Sequence, residues 1–281
     1  MVKVFLARRA RAGRLWLGMA LWLVSPALFG QMAAPESGRF LVEYGPVATE
    51  DYLRYEEVLR ESRVLESVAA SLTRTLHLPH DITVRVEECG SSDASWELAS
   101  HRVQLCYELL QAVLELSTAV AGEDDERAER WFSGTITFIV FHQLGHALLD
   151  VLPLKTGLAP ELAADQFAMV ALGGAVGQPQ EVLGALEFLH RTVGSEEAAG
   201  LGFLEAHGYD RARVDKLACG FAGALPAAMP WLEELQLLPL SGAPRCGEEF
   251  AATHRQWDLW LAPWVRTPLK SAPRPRVAGA P

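Results

Sequence analysis

Cysteine is scarce in this 281-residue chain, which contains only four such residues. No two of them form the close Cys-X-X-Cys pair that structural zinc sites use, so a cysteine-type zinc site is not indicated. An even number of cysteines suits disulfides in an oxidising compartment. Three pairings are possible, and we favour the two local ones, Cys89 with Cys106 and Cys219 with Cys246. The first would join a strand to a helix that starts at Cys106, and the second would tie two late helices together.

Positive charge is also in short supply, with 25 lysine and arginine residues against 35 aspartate and glutamate residues. Five of those basic residues and none of the acidic ones lie in the first 30 residues, so the remainder carries a net charge of −15 with histidine neutral. So acidic a surface argues against nucleic acid as a partner and against adhesion to anionic lipid. We interpret the acidic run at 123–126 as a solvated helix cap, because no loop-like spacing supports a calcium site.

The apolar run near the N-terminus, residues 15–29, is shorter than the roughly 18–20 residues that span a bilayer. Five basic residues precede it, and this order is typical of a secretory signal peptide. We therefore expect a secreted or periplasmic protein that has no membrane contact after signal cleavage. The alternative is an uncleaved N-terminal anchor, which Trp16 and Trp22 would help to hold at the membrane interface.

The remaining sequence predicts one mainly helical α+β domain with a small sheet or hairpin, and we expect a monomer. Residues 82–86 alternate like a strand, and residues 102–105 are the candidate hairpin partner. After Cys106 nearly everything has helical spacing, broken by glycines and prolines. We divide the chain into a signal peptide, a flexible lead-in, one domain and a disordered tail, at residues 1–30, 31–51, 52–266 and 267–281.

The chain also lacks a glutamate in a two-histidine motif of the kind that binds zinc. Residues 142–146 read His-Gln-Leu-Gly-His, within an apolar helix predicted from about Trp131 to Asp150. Residues four apart share a helix face, so the imidazoles of His142 and His146 can bind a single Zn²⁺ ion. The alternative is that each buried imidazole hydrogen-bonds a backbone carbonyl.

A second helix is predicted to bring acidic residues back to these histidines. It begins at Pro160, and Glu161 and Asp165 share one of its faces. Glu161 would be the third metal ligand and leave a fourth position open for water. Asp165 would accept the free ring N–H of a ligand histidine, although it could instead be the ligand while Glu161 only caps its helix. Asp150 is a weaker candidate for the same orienting role, or else a solvated helix end.

The order His-X-X-X-His then Glu-X-X-X-Asp resembles the thermolysin-like glutamate zincins in outline. A closer resemblance, to a family of secreted bacterial metallopeptidases of unknown function, extends over most of the chain after residue 30. Its matching islands are Val86–Gly90, Leu105–Leu109, Phe141–Asp150, Ala163–Ala168, Cys219–Gly220, Cys246–Phe250 and Trp257. The resemblance implies a zincin-type fold and site, a periplasmic or extracellular setting, and no established substrate. Members generally have glutamate where this chain has Gln143, and a more acidic run where it has residues 159–162.

In zincins, the residue after the first histidine is the general base that activates water. An amide has no useful basicity near neutral pH, so Gln143 in that position should slow hydrolysis by about 10²–10⁴-fold. The first expectation is a zinc metallopeptidase that acts weakly on a peptide or protein substrate. The alternative is a non-catalytic pseudopeptidase that binds metal and peptide or protein partners, and a third possibility is a chain without metal.

The sequence His207-Gly-Tyr-Asp210 lies where thermolysin-like folds place a residue that stabilises the reaction oxyanion. We interpret it instead as a loop between two helices, and leave His207 outside the predicted site.

Overall fold

The computed structural model describes residues 37–176, 179–196, 198–238 and 243–266. The strands are β1 (Phe40–Tyr44), β2 (Ile82–Glu87), β3 (Ala94–Glu97) and β4 (Arg102–Cys106). The helices are α1 (Glu50–Ser62), α2 (Val64–Thr75), α3 (Tyr107–Ala121), α4 (Asp125–Val151), α5 (Pro160–Ala171), α6 (Pro179–Thr192), α7 (Gly202–Ala206), α8 (Arg211–Ala224), α9 (Met229–Glu234) and α10 (Ala243–Leu261). The predicted mainly helical α+β class is confirmed. The predicted signal peptide and disordered tail lie outside the described residues.

The four strands form one mixed sheet in the order β1-β2-β4-β3. Strand β2 pairs in parallel with both β1 and β4, whereas β3 runs antiparallel to β4. The hairpin predicted between residues 82–86 and 102–105 is therefore wrong. Those strands are neighbours but parallel, because the chain between them forms β3, which is the strand that makes the hairpin with β4.

Part of the predicted flexible lead-in belongs to the sheet. Residues 40–44 form β1, which pairs with β2 from Phe40 opposite Ile82 to Tyr44 opposite Val86. The lead-in prediction is wrong for this stretch. Only Phe40 is fully buried in β1, so the strand shows little alternation of buried and exposed residues by which the sequence could indicate it. The strand forms because it pairs with residues about 40 positions away.

Helix α4 is the central helix of the core. It begins after Asp124, whose carboxylate accepts the backbone N–H of Arg127 at 2.9 Å, so the acidic run caps the helix as predicted. Within the described residues, α4 is the one helix long and apolar enough to cross a membrane, and 72% of its apolar window is buried inside the protein. A span buried by its own domain is a core helix.

Both predicted disulfides are confirmed. Cys89, after β2, is bonded to Cys106 at the end of β4, and Cys219 of α8 is bonded to Cys246 of α10. The first bond joins the sheet to the start of α3, and the second ties two late helices together, as the spacing predicts.

Candidate metal centre

The two histidines of the motif and the acidic residues that follow them lie on two closely crossing helices. His142 and His146 are on α4, and Glu161 and Asp165 are on α5. The helices touch at Gly145, where an added Cβ would lie 2.8 Å from Cα and 3.1 Å from the carbonyl oxygen of Ala164. A glycine at this position therefore allows α5 to approach α4 closely enough to bring Glu161 to the histidine rings.

Gly145→Ala is expected to lower the free energy of unfolding by about 1–3 kcal/mol, because backbone atoms of α5 cannot yield to the new methyl group. That loss exceeds the roughly 0.5–1 kcal/mol that alanine gains over glycine inside a helix. Gly247 of α10 is the matched control, since an added Cβ there meets nothing within 4 Å. Urea unfolding should show Gly247→Ala neutral or stabilised. Equal stabilisation of both variants would show that the crossing of α4 and α5 can accommodate a methyl group at position 145.

The three side chains predicted as metal ligands converge on one point. Nε2 of His142 lies 3.1 Å from Nε2 of His146 and 3.4 Å from Oε2 of Glu161. Oε1 of Glu161 lies 3.2 Å from Nε2 of His146. A tetrahedral zinc ion with bonds of about 2.0–2.1 Å holds its ligand atoms roughly 3.3–3.4 Å apart. The spacing of these donor atoms therefore fits a zinc-sized ion.

His207 lies in the loop between α7 and α8, as interpreted from the sequence, but this loop brings it to the cluster instead of leaving it outside. Its Nδ1 lies 3.3 Å from Nε2 of His142 and 3.1 Å from Oε2 of Glu161. The ligand atoms of His142, His146, Glu161 and His207 all lie within 4.8 Å of one another. The only sign of His207 in the sequence was the short His-Gly-Tyr-Asp run. No helical spacing connects that run to the histidines of α4.

Asp165 contacts the opposite side of the His142 ring from the cluster. Its Oδ1 lies 2.9 Å from Nδ1 of His142 and accepts the hydroxyl of Tyr209 at 2.9 Å. His142 is fully buried and Asp165 is 3% exposed. A carboxylate on Nδ1 fixes that proton there and leaves Nε2 free to bind a metal. This geometry matches the orienting role expected for Asp165 and leaves Glu161 as the carboxylate that faces the other histidines.

Arg213 of α8 neutralises both carboxylates. Its guanidinium donates to both oxygens of Asp165, to Oε2 of Glu161 and to the carbonyl of His207. Burial alone would raise the pKa of Glu161, but hydrogen bonds from the three histidines hold that pKa well below its usual range. Burial opposes ionisation of Asp165 as well, and hydrogen bonds from Arg213 and His142 lower its pKa. Both side chains are therefore carboxylates at neutral pH, as metal binding requires.

Gln143 is fully buried beside the cluster. Its amide nitrogen donates to the carbonyl of Ala94 at 2.9 Å and lies 2.9 Å from Nε2 of His207. Its amide oxygen has no hydrogen-bond partner among the described residues. A buried acceptor without a donor costs about 1–3 kcal/mol, so a water or ligand donor at this position would stabilise the protein. The unsatisfied acceptor thus fits a site that takes up further groups beside the cluster.

Asp150 lies apart from the cluster. Its carboxylate is exposed and accepts the indole N–H of Trp96 at 2.8 Å, at the last turn of α4. This contact belongs to the helix end and the neighbouring strand β3. A second grouping of Cys89, Cys106 and Glu108 also has suitable atom types. Its sulfur atoms are bonded to each other, and Glu108 accepts backbone N–H groups of Cys89 and Gly90, so these groups are already satisfied.

Comparison with known proteins identifies the family. A family model described as "Putative metallopeptidase" (DUF4344) matches residues 44–261 of this chain. The matched range covers most of the sequence and includes every residue of the cluster. No curated protein and no solved structure matches the chain. The chain therefore belongs to the family that this model describes.

Proposed function

We propose that the protein is a secreted zinc metallopeptidase whose catalysis is weakened by glutamine at position 143. The observation that carries this proposal is the convergence of imidazole and carboxylate atoms, with separations of 3.1–3.4 Å between them. Imidazole nitrogens and a carboxylate gathered around one point are the donor set with which proteins bind zinc. The match to the family described as "Putative metallopeptidase" supports the peptidase part of this proposal.

Zinc is the ion that this donor set suits best. Imidazole nitrogen and carboxylate oxygen are both usual zinc ligands, and the distances correspond to a four-coordinate ion. Calcium and magnesium prefer six or more oxygen ligands and are poorly matched by three histidines. His142, His146 and Glu161 would hold the zinc, and Asp165 would fix the ring orientation of His142.

Bound zinc would lower the pKa of a water molecule that attacks the substrate and would polarise the peptide carbonyl. The protein's own side chains decide how well that chemistry proceeds. Gln143 stands where a proton acceptor is needed and can only donate or accept hydrogen bonds. Phe203 packs against the His142 ring with its centroid 5.7 Å away and is fully buried, so it excludes solvent from one side of the site.

Export of the chain is part of the proposal. Two disulfides are compatible with an extracellular or periplasmic protein. The basic and apolar N-terminal sequence would be the export signal, residues 1–30, and a peptide or protein in that compartment would be the substrate of a monomeric enzyme. Expression of the full chain, followed by N-terminal sequencing of the exported form, tests this assignment. An intact N-terminus in the membrane fraction would show an uncleaved anchor instead.

Metal removal gives the direct test of the site. We expect the purified protein to contain about one zinc ion per chain, and zinc at 100 times its dissociation constant to stabilise the fold by about 2.7 kcal/mol over the chelated form. His142→Ala should lose the metal and this stabilisation. Elemental analysis and thermal unfolding with and without chelator measure both effects.

A suitable control for that variant is His254→Ala, which removes a half-buried histidine of α10 that pairs with Asp258 and lies against the ring of Phe250, away from the cluster. It should keep both zinc and stabilisation. Equal zinc content in the His142→Ala and unsubstituted proteins would contradict the proposed site.

A further inference from the structure

The residue that completes the cluster is held by a segment tied down at both ends. Ser92 binds the near end: its hydroxyl donates to the carbonyl of Gly200 at 2.8 Å and accepts the N–H of Gly202 at 3.0 Å. Its carbonyl accepts the N–H of Phe203, also at 3.0 Å. At the far end, Arg213 donates to the carbonyl of His207. The imidazole of His207 is thus placed by fixed backbone, in a segment we call the His207 segment (residues 198–210).

The His207 ring is aimed in the way that a metal ligand requires. Nδ1 faces the cluster, and Nε2 on the other side lies 3.2 Å from the carbonyl oxygen of Ala94. Histidines bound to metals usually donate their other ring N–H to a backbone carbonyl or a carboxylate. The ring of Phe203 lies against that of His207, with centroids 4.6 Å apart, and keeps it in this orientation.

We propose that His207 is a fourth protein ligand of the metal, through Nδ1, which closes the coordination sphere formed by His142, His146 and Glu161. This inference rests on the proposed metal site. The separations of 3.1 and 3.3 Å from His207 Nδ1 to its neighbours fall within the range found among the other three residues. A ring that served only to hydrogen-bond a substrate oxygen would need room for that oxygen between itself and the other ligands. At these distances there is none.

Ligation by Nδ1 has a consequence for the ring proton. Without metal, a proton on Nδ1 can be donated to Glu161, and Nε2 can then accept from the amide of Gln143. With metal, Nδ1 must be bare, so the proton resides on Nε2 and points to the carbonyl of Ala94. Metal binding at Nδ1 therefore fixes the ring proton of His207 on Nε2.

A tetrahedral site with four protein ligands is the arrangement of structural zinc sites, whereas catalytic sites keep one position for water. The resting protein would therefore be latent for a reason independent of Gln143. Water and substrate reach the metal only when His207 withdraws, and the anchors at Ser92 and Arg213 set how readily the His207 segment moves.

X-ray absorption of the zinc-loaded full-length mature protein counts the imidazole ligands directly. We expect three imidazoles in the unsubstituted protein and two in His207→Gln, a variant that retains a polar side chain of similar reach. Loss of one ligand should weaken zinc affinity by at least about tenfold, measured by competition with a chelating dye. His254→Ala should leave both values unchanged.

Nitrogen-15 NMR of the histidine rings gives a second measurement. With zinc bound, the His207 signal should report a bare Nδ1 and a proton on Nε2. Zinc would not change the His207 ring signals in this way if His207 had only a structural role. Two imidazole ligands in both the unsubstituted and His207→Gln proteins, with equal zinc affinity and no change of the His207 signal on adding zinc, would contradict ligation by His207. The proposed metal site would remain intact. Zinc absent from the unsubstituted protein, as from His142→Ala, would instead overturn the proposed function, and the fourth ligand with it.

Discussion

Replacing Gln143 by glutamate should raise the rate of peptide hydrolysis by about 10²–10⁴-fold, the usual contribution of a general base. The reason is that the metal ligands are already arranged, and the missing component is a group that can accept a proton. The side chain of residue 143 lies within 2.9 Å of the His207 ring and next to the cluster. A carboxylate of the same length would therefore lie beside the metal position, where it could accept a proton from water once His207 withdraws, without any change in the backbone.

The substitution should also have a structural cost in the metal-free protein. The amide of Gln143 donates to the carbonyl of Ala94, and a carboxylate oxygen at that position would repel it. Loss of this buried hydrogen bond should lower the free energy of unfolding by about 1–3 kcal/mol. Zinc should offset the loss, because a buried carboxylate beside a divalent cation is stabilised. Gain of activity and loss of metal-free stability are thus expected together.

The measurement is kcat/KM on a fluorogenic peptide library, with zinc present in both proteins. Gln143→Met is the matched control, since it preserves length and burial but offers no proton acceptor. If the His207 segment withdraws equally often in all three proteins, the closed state lowers kcat/KM by the same factor in each. The ratio of kcat/KM between two of these proteins then still measures the contribution of a general base at position 143. Unchanged hydrolysis in a zinc-loaded Gln143→Glu protein would favour the non-catalytic, peptide-binding alternative.

The parts of this site that the sequence predicts are those set by helical spacing. His142 and His146 are one turn apart on α4, and Glu161 and Asp165 are one turn apart on α5. Such pairs share a face whatever the rest of the fold does. The two disulfides were predictable for a similar reason, because they join cysteines only 17 and 27 residues apart.

The parts that sequence reasoning missed depend on contacts between distant segments. His207 is 65 residues from His142, and it reaches the cluster because Ser92 and Arg213 hold its segment there. The order of the sheet follows the same logic. The parallel pairing of β2 with β4 is decided by where β3 and the helices pack, and local alternation cannot distinguish parallel from antiparallel neighbours.

Loss of Arg213 should have the largest effect on stability. Its guanidinium is 13% exposed, binds Asp165 and Glu161, and stacks on the ring of Tyr209 at 3.8 Å. Arg213→Met removes the permanent cation from Asp165 and Glu161, which keep only their contacts with the histidines and Tyr209. Breaking a buried pair in this way typically costs about 3–5 kcal/mol. The carbonyl of His207 also loses its donor, so the zinc affinity of the variant should fall as well.

The acid unfolding of the metal-free protein separates this charge effect from lost packing. Burial disfavours the charged form of Asp165, but Arg213 and His142 keep its pKa below the ordinary value of 3.8. A depressed carboxyl pKa stabilises the fold above the unfolded-state value, and this stabilisation disappears as pH falls through the folded-state pKa. Without Arg213 the folded-state pKa of Asp165 rises, so the variant should begin to unfold at a higher pH than the unsubstituted protein.

Arg211→Met provides the comparison, because Arg211 is an exposed residue of the same helix, two positions earlier. It should leave the acid transition in place. Circular dichroism followed from pH 7 downward, with chelator present, measures the transition in all three proteins. A uniform loss of stability in Arg213→Met with an unshifted acid midpoint would mean that Arg213 acts through its packing on Tyr209. A shifted midpoint would instead identify Arg213 as the charge that keeps Asp165, the residue that orients His142, ionised in the metal-free protein.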